Sequence, residues 1–425
     1  MSKIQYPTLD LFIYNIIEGS GNSKIYQDYW LSLPDKLKDK DFSNKINDAD
    51  AERLDFWNTI STAVDGCYSQ VKFDDTNCLR FSCSLDRQIE LTALASTFVQ
   101  LKDLSILPQV ENLTLGRFSK NGYLGQTWII SGWTVPDNSL IDEITVQDIY
   151  KSLITQAHQY QQKGEFLGAT VWEMWRGEER WEGIEKDSHV MLIFYPEEAK
   201  FAAASQYYNA WRYLFYCKHK ILWSYEQGRT LKLRLLQQFK DSLTDTNILS
   251  KKDLQELKEE LQININSLSK YVQNINLLPI QQHTVEVNLK NYDKQCQKYL
   301  FNEQFLKEFS NIVKNKYQVQ LEKDYLSLNP GLAILENVTT TIRGMVEIEQ
   351  AKRDRNLNNT VAIAGVGLAT SQIASSIILA QEPPPQDLPF FQTTAFWWSL
   401  ATGLVANLIL WSILRLYRLI TRSRR

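Results

Sequence analysis

Hydrophobic and polar positions follow three different rhythms along this 425-residue chain. Over roughly the first two hundred residues the pattern is mixed. Asp48–Cys67 has helical spacing, with Leu54, Trp57, Ile60 and Val64 on one stripe, and Asp86–Leu101 is a second predicted helix. β-branched and aromatic runs follow at Leu113–Phe118 and Gln126–Ser131. Gly116, Asn121-Gly122 and Gly125 punctuate them, as turns between antiparallel strands do. A helix is predicted over Thr145–Lys163 and strands over Phe166–Trp175 and His189–Tyr195, with the Gly- and charge-rich segment Arg176–Asp187 joining these two strands.

Beyond Pro196 the period becomes helical. Proline suits a first helical turn, where its missing N–H would have had no intrahelical acceptor. Phe201, Tyr208, Trp211, Phe215, Leu222 and Tyr225 follow in a heptad-like seam. A second helix is predicted from about Ser250, with Asp253 in its first turn and Leu254, Leu261, Leu268 and Ile275 seven apart; Pro279 should end it. A third covers about Val285–Leu326. Asn329-Pro330-Gly331 reads as a breaker, and Leu332–Arg355 then runs on without proline. At 1.5 Å per residue that stalk extends about 35 Å, with Gly344 its one soft position.

The third rhythm is an absence of charge. Asn356–Gln381 and Leu388–Leu414 contain no Asp, Glu, Lys, Arg or His. Each exceeds the roughly 20 residues a helix needs to cross a hydrocarbon core, and helices satisfy their own backbone there. Lys352, Arg353 and Arg355 precede the first stretch, and Arg415, Arg418, Arg422, Arg424 and Arg425 follow the second. The loop between them, Gln381–Thr394, has Glu382 and Asp387 but no Lys or Arg. This asymmetry predicts a two-pass protein of the plasma membrane with both ends cytoplasmic. Phe390, Phe391, Trp397 and Trp398 would mark the outer interface, and Trp411 and Tyr417 the inner one.

These elements predict an α+β cytoplasmic domain (1–195), then long antiparallel helices in a cytoplasmic helical region (196–328). A stalk helix (329–359) is continuous with a two-helix C-terminal transmembrane hairpin (360–380 and 395–415). An external loop (381–394) and a basic cytoplasmic tail (416–425) complete the chain. Composition adds limits. Lys and Arg number 46 against 49 Asp and Glu, so no basic surface for nucleic acid is indicated. Met1–Gly19 lacks the basic start and unbroken apolar core of a signal peptide. On the cytoplasmic side, Cys67, Cys78, Cys83, Cys217 and Cys296 should be reduced thiols.

Few residues suggest chemistry. The first span is rich in small residues (Gly365, Gly367, Ala369, Ser371, Ser375), and Gly367, Ser371 and Ser375 repeat every four positions. Such a face lets helices approach closely, either against the second span or between copies. Gly365-x-Gly367 is not a nucleotide fingerprint, since no strand precedes it. Gln372 and Asn407 are the deepest polar side chains; they should pair with each other or line a wet pore. Glu382 and Asp387, repeated around an oligomer, would form an acidic ring at an outer mouth. Trp172–Trp181 reads as a strand with an aromatic core face, Glu178 and Glu179 at its hairpin tip. Cys217 and His219 diverge on a helix and cannot chelate together. His158, His189, His219 and His283 form no evident catalytic set, and Glu256, Glu259 and Glu260 read as a solvated face. An enzyme is disfavoured, and no cofactor is indicated.

The layout resembles CorA-like cation channels, most closely over Leu332–Arg425 and only in element order before it. The resemblance implies a cytoplasmic α/β domain and a stalk helix running into the first of two spans. Where that family carries Gly-Met-Asn, this chain has Ala380-Gln-Glu-Pro383, and its one Gly-Met pair is Gly344-Met345 in the stalk. The family's selectivity residues therefore have no counterpart here. The leading expectation is a homo-oligomer whose cytoplasmic domain gates a cation pore, with divalent cations as substrate or regulator and an unidentified regulatory ligand. The alternative is a membrane-anchored sensor or defence effector, whose hairpin anchors or disrupts the bilayer without selective transport.

Overall fold

The computed structural model describes residues 2–16, 53–57, 64–104, 122–154, 157–158, 160–175, 188–242, 249–299, 304–381, 391 and 393–422. Period-two alternation builds its sheet, but with apolar residues on both faces. In β1 (Lys3–Ile16), Leu9, Leu11 and Ile13 join one core layer while Phe12 and Tyr14 join the other. The described strands run in the order β2 (Arg53–Trp57), β3 (Val64–Phe73), β4 (Thr76–Leu85), β1, β6 (Tyr123–Val135), β9 (Ser188–Tyr195), β8 (Ala169–Trp175), β7 (Tyr160–Phe166). The short β5 (Gln88–Glu90) also pairs with β1. All pairings are antiparallel except β6 with β9.

Helices cover both faces. On one lie α1 (Leu91–Leu104) and α2 (Glu143–Leu153), sealing Leu9, Phe81, Trp128, Trp172 and Leu192. On the other, after the short α3 (Glu198–Ala204) and a 3-10 turn, lies α4 (Tyr208–Ser242). It buries Trp211, Leu214, Phe215 and Ile221 against Phe12, Ile129, Trp175 and Ile193. Each such side chain contributes roughly 1.5–3 kcal/mol. Next come α5 (Leu254–Lys298), α6 (Gln304–Ile312), a π-helical turn (Val313–Gln318), α7 (Val319–Gln381) and α8 (Thr394–Arg422). The chain divides into two compact units, residues 1–240 with 270–332, and residues 241–269 with 333–425.

Several expectations are corrected. The described part of Asp48–Cys67 is β2 and the start of β3 rather than a helix: Leu54 sits opposite Tyr68 and Trp57 opposite Asp65, and this pairing overrides the helical spacing. The expected helix at Asp86 starts only at Leu91, because Ile89 pairs with Ile4. The helix from Thr145 ends at Leu153, whose carbonyl accepts from Lys102 Nζ at 3.0 Å, and from Tyr160 on the expected helix is replaced by β7. The strands at Gln126, Phe166 and His189 are present, with a turn at Leu167-Gly168 splitting Phe166 from β8. β1 was not foreseen, since burial on both faces hides its alternation. Leu113–Phe118, Glu178 and Glu179 lie outside the described residues.

Neither proline ends its helix. Pro279 lies inside α5 and Pro330 inside α7, so the expected boundary near Val285 and the break before Leu332 are both absent. A helical proline costs about 3 kcal/mol. Tyr271, Ile275, Leu278, Val285, Leu289 and Tyr292 bury a stripe on both sides of Pro279, which outweighs that cost. At Pro330 three helices meet. Tyr271 Oη donates to the Leu328 carbonyl at 2.6 Å, and a Cβ on Gly331 would stand 2.5 Å from that hydroxyl and 3.3 Å from Phe239. The Asn-Pro-Gly run marks a close approach of helices. In the second unit, Leu249, Leu254 and Leu257 pack on Ile342 and Val346, and Asp253 caps α5 by accepting from the Glu256 amide at 2.9 Å.

The helical run Leu306–Leu379 and the helix Thr394–Leu416 each carry a segment long and apolar enough to cross a membrane. Two glycines in α7 should then respond oppositely. Gly331→Ala should lower thermal stability by about 1–3 kcal/mol through overpacking against Tyr271. Gly344→Ala, where an added Cβ meets nothing within 4 Å, should raise it by up to about 1 kcal/mol through helix propensity. Melting curves of the two variants check the pair, and equal shifts would contradict it.

Candidate functional site

The small residues of the first apolar helix fall on two faces. Gly367 is buried, and a Cβ there would overlap the Asn407 side chain of α8. A Cβ added at Gly403 of α8 would in turn stand only 3.0 Å from the Gly367 carbonyl oxygen and 3.1 Å from Ser371 Cβ. Ser375 is half-buried one turn further on. This close approach, which only glycine permits, joins the two apolar helices of one chain. At 100° per residue, Gly365 and Gln372 lie on the opposite side with Ala362, Ala369 and Ser376, and all five are exposed.

The expected Gln372–Asn407 pair is therefore not formed. Asn407 sits beside Gly367, five residues earlier than Gln372, and its Oδ1 is buried without a hydrogen-bond partner among the described residues. Lys352, Arg353 and Arg355 are exposed on α7, with Lys352 Nζ 3.0 Å from Glu349. Arg415 lies 5.0 Å from the Trp411 ring centre. Arg418 and Arg422 continue α8. Glu382 and Asp387 lie outside the described residues.

The sequence reading missed the ionisable groups buried under α4. Glu173 of β8 accepts from Lys218 Nζ and from His189 Nε2, each at 2.8 Å. With His189 Nε2 donating, its Nδ1 accepts from Thr127 Oγ1 at 2.9 Å. That hydroxyl in turn accepts from His219 Nε2 at 2.8 Å. Every member is at most 3% exposed. Burial pushes Glu173 upward, but Lys218 and His189 outweigh it and hold the carboxyl down to about 2. His189 is pushed down to about 4, chiefly by burial and then by Lys218, and burial also moves His219 well down. The acid–His–Thr order resembles a nucleophilic triad, yet Thr127 is 0% exposed. Its role is to lock the sheet to α4. Gly125 belongs to this lock, since a Cβ there would collide with the His219 ring.

A second group opens onto a cleft of about 850 Å³ between β3, β4 and the start of α4, lined by Tyr6, Asp65, Ser69, Arg80, Tyr208 and Arg212 among others. Beneath it, Asp10 is fully buried and accepts from Arg80 Nη2 at 2.8 Å and from Tyr208 Oη at 2.9 Å. The Arg80 guanidinium stacks 3.6 Å from the Tyr208 ring centre. Tyr6 Oη donates to Asp65, and Arg212 Nη2 donates to Ser69 Oγ. The available sequence signal was a charge between large apolar neighbours inside a β run, as in Leu9-Asp10-Leu11, Leu79-Arg80-Phe81 and Trp172-Glu173-Met174. Trp172 and Trp175 occupy opposite core layers.

Other candidates are locally engaged. Glu256 accepts from the Asp253 amide, Glu259 from Gln255, and Glu260 pairs with Lys252. Among the described residues no group of three His, Cys, Asp or Glu side chains is placed to hold a metal ion. All five cysteines are buried, and none is in a disulfide among the described residues. Against protein families, curated proteins and solved structures, the chain finds no match.

The buried histidines set a pH dependence. A histidine whose pKa is lowered in the fold contributes stability that is full above its unfolded value near 6.5 and declines as the pH falls toward 4. Glu173 follows only below about 4.5. Between pH 7.5 and 5, His189 alone should cost about 2 kcal/mol of stability. The denaturant midpoint should fall accordingly, and less steeply in His189→Gln. An unchanged midpoint across that range would contradict a neutral, buried His189.

Proposed function

We propose that the protein is an integral membrane homo-oligomer in which the α/β unit governs a cation path across the bilayer, the layout of CorA-like channels. The observation that carries this reading is Gln372. Its amide lies in the charge-free stretch of α7, exposed on the side away from the chain's own second apolar helix. In hydrocarbon such a group is costly unless it faces protein or water. A second copy, or a water-filled path between copies, supplies either. Gly365, Ala369 and Ser376 flank it with small side chains suited to close helix contact. α7 is a continuous helix from Val319 to Gln381, and such control would run through it.

The second reading is a monomeric anchor with a sensing domain. It draws support from the Gly367–Asn407 and Gly403–Ser371 contacts, which make the hairpin self-sufficient. Both readings keep the chain ends cytoplasmic, through Lys352, Arg353 and Arg355 before the first span and Arg415, Arg418 and Arg422 after the second.

Cysteine cross-linking in native membranes separates them. Ala369→Cys should form disulfide-linked dimers under mild oxidant, whereas Leu404→Cys, on the exposed side of α8, should not. Equal cross-linking at both positions, or at neither, would remove the oligomer. Gly365→Leu should then reduce oligomer mass in detergent, while Gly367→Leu should leave it unchanged and loosen the hairpin. Purified protein in liposomes should pass monovalent or divalent cations; a lack of flux under every divalent-ion condition would leave the anchor.

A further inference from the structure

The cleft beside α4 contains a charge that no acid among the described residues neutralises. Arg212 is 6% exposed, and among the described residues no carboxylate lies within ion-pair distance of it. Its guanidinium donates to Ser69 Oγ and, at 3.4 Å, to Asn209 Oδ1; its Nε has no acceptor among the described residues. The neighbouring Arg80 is different, since Asp10 neutralises it. Burial and then the adjacent Arg80 charge weaken the hold of Arg212 on its proton, as expected of a cation lacking a counter-ion. A buried unpaired cation costs several kcal/mol, and natural folds retain one where something binds it.

The surroundings narrow what that is. Ser69 Oγ accepts from Arg212, and Ser82 Oγ accepts from Arg80 at 3.3 Å, so each hydroxyl keeps its own proton to donate. The wall therefore offers a fixed cation and hydroxyl donors, a set suited to an oxyanion with several lone pairs. Elsewhere on the wall Asp65 receives the Tyr6 hydroxyl on one oxygen, while its Oδ1 is buried without a partner among the described residues. The cleft is thus dipolar. Its volume of about 850 Å³ is that of a site for a nucleotide-sized molecule, and a free amino acid would fill only part of it. Tyr6, Phe73 and Tyr208 add apolar surface to the cleft wall.

We propose that this cleft binds a phosphorylated small molecule, its phosphate on Arg212, Ser69 and Ser82 and a hydroxyl or amine of its body on Asp65. The site belongs to the α/β unit and stands whether or not the hairpin conducts. It gives the chain a cytoplasmic input, with Arg212 and Tyr208 in the first turns of α4 as the groups that register occupancy.

Thermal unfolding of the full-length protein in detergent tests this, with inorganic phosphate against chloride at equal ionic strength. Nucleoside monophosphates and sugar phosphates are then compared with their unphosphorylated parents. Phosphate should raise Tm by several degrees, and a phosphorylated compound should do so at concentrations at least tenfold lower. Arg212→Gln should raise the ligand-free Tm, by removing an uncompensated buried charge, and abolish the phosphate response. An Arg212 that merely braces the fold predicts the opposite, a lower Tm. Ser82→Ala should weaken binding several-fold while preserving the fold, and Asp65→Asn should weaken the phosphorylated compound but not inorganic phosphate. The proposal is overturned if phosphate behaves as chloride, if unphosphorylated parents or free glutamate bind as well as the phosphorylated compounds, or if Arg212→Gln leaves binding unchanged.

Discussion

Burial of the sheet on both faces is the constraint from which the rest of the α/β unit follows. A sheet with one wet face can carry charge outward. Here α1 and α2 close one side and α4 the other, so every ionisable side chain on a central strand needs a partner inside the protein. Glu173 has Lys218 and His189, and Asp10 has Arg80 and Tyr208. Both acids face α4, and both draw partners from it. The ionic contacts therefore fix the register of that helix on the sheet, which apolar contacts alone specify loosely. Arg212, on the same helix, is the exception among the described residues.

In the bilayer setting proposed for them, the C-terminal apolar helices obey a related rule in a different solvent. Where hydrocarbon surrounds a helix, apolar packing gives little preference for one face, and small residues and amides decide what meets what. Gly367 and Gly403 settle the contact within the chain. The exposed Gly365–Gln372 side is left for whatever lies outside it. Because α7 carries both that face and Gly331, packed beside Tyr271, one helix belongs to both compact units.

Much of this was legible in the sequence, and the failures share causes. The apolar stretches, the uninterrupted run into the first of them and the strands at Gln126 and His189 all rest on local pattern, which local sequence carries. Pro279 and Pro330 were misread because the compensation for each lies in residues distant in sequence, such as Tyr271 against Leu328. β2 was misread because its spacing fits a helix until its partner strand is known. Of the site residues, Gly367 and Ser371 were recognised as a packing face, but which helix they meet required Asn407 in three dimensions. The cleft was invisible: Asp65, Arg80 and Arg212 are far apart in the chain, and a charge on a strand or helix ordinarily means a wet face.

The central claim is that the two sides of the first apolar helix have different partners, one within the chain and one between copies. A cryo-EM map of the protein in lipid nanodiscs tests it most directly. The account predicts an oligomer with Gln372 and Gly365 turned toward the symmetry axis and Gly367 seated on Asn407 of the same chain. A monomeric hairpin, or an oligomer whose copies meet through Gly367 with Gln372 turned to lipid, would contradict it.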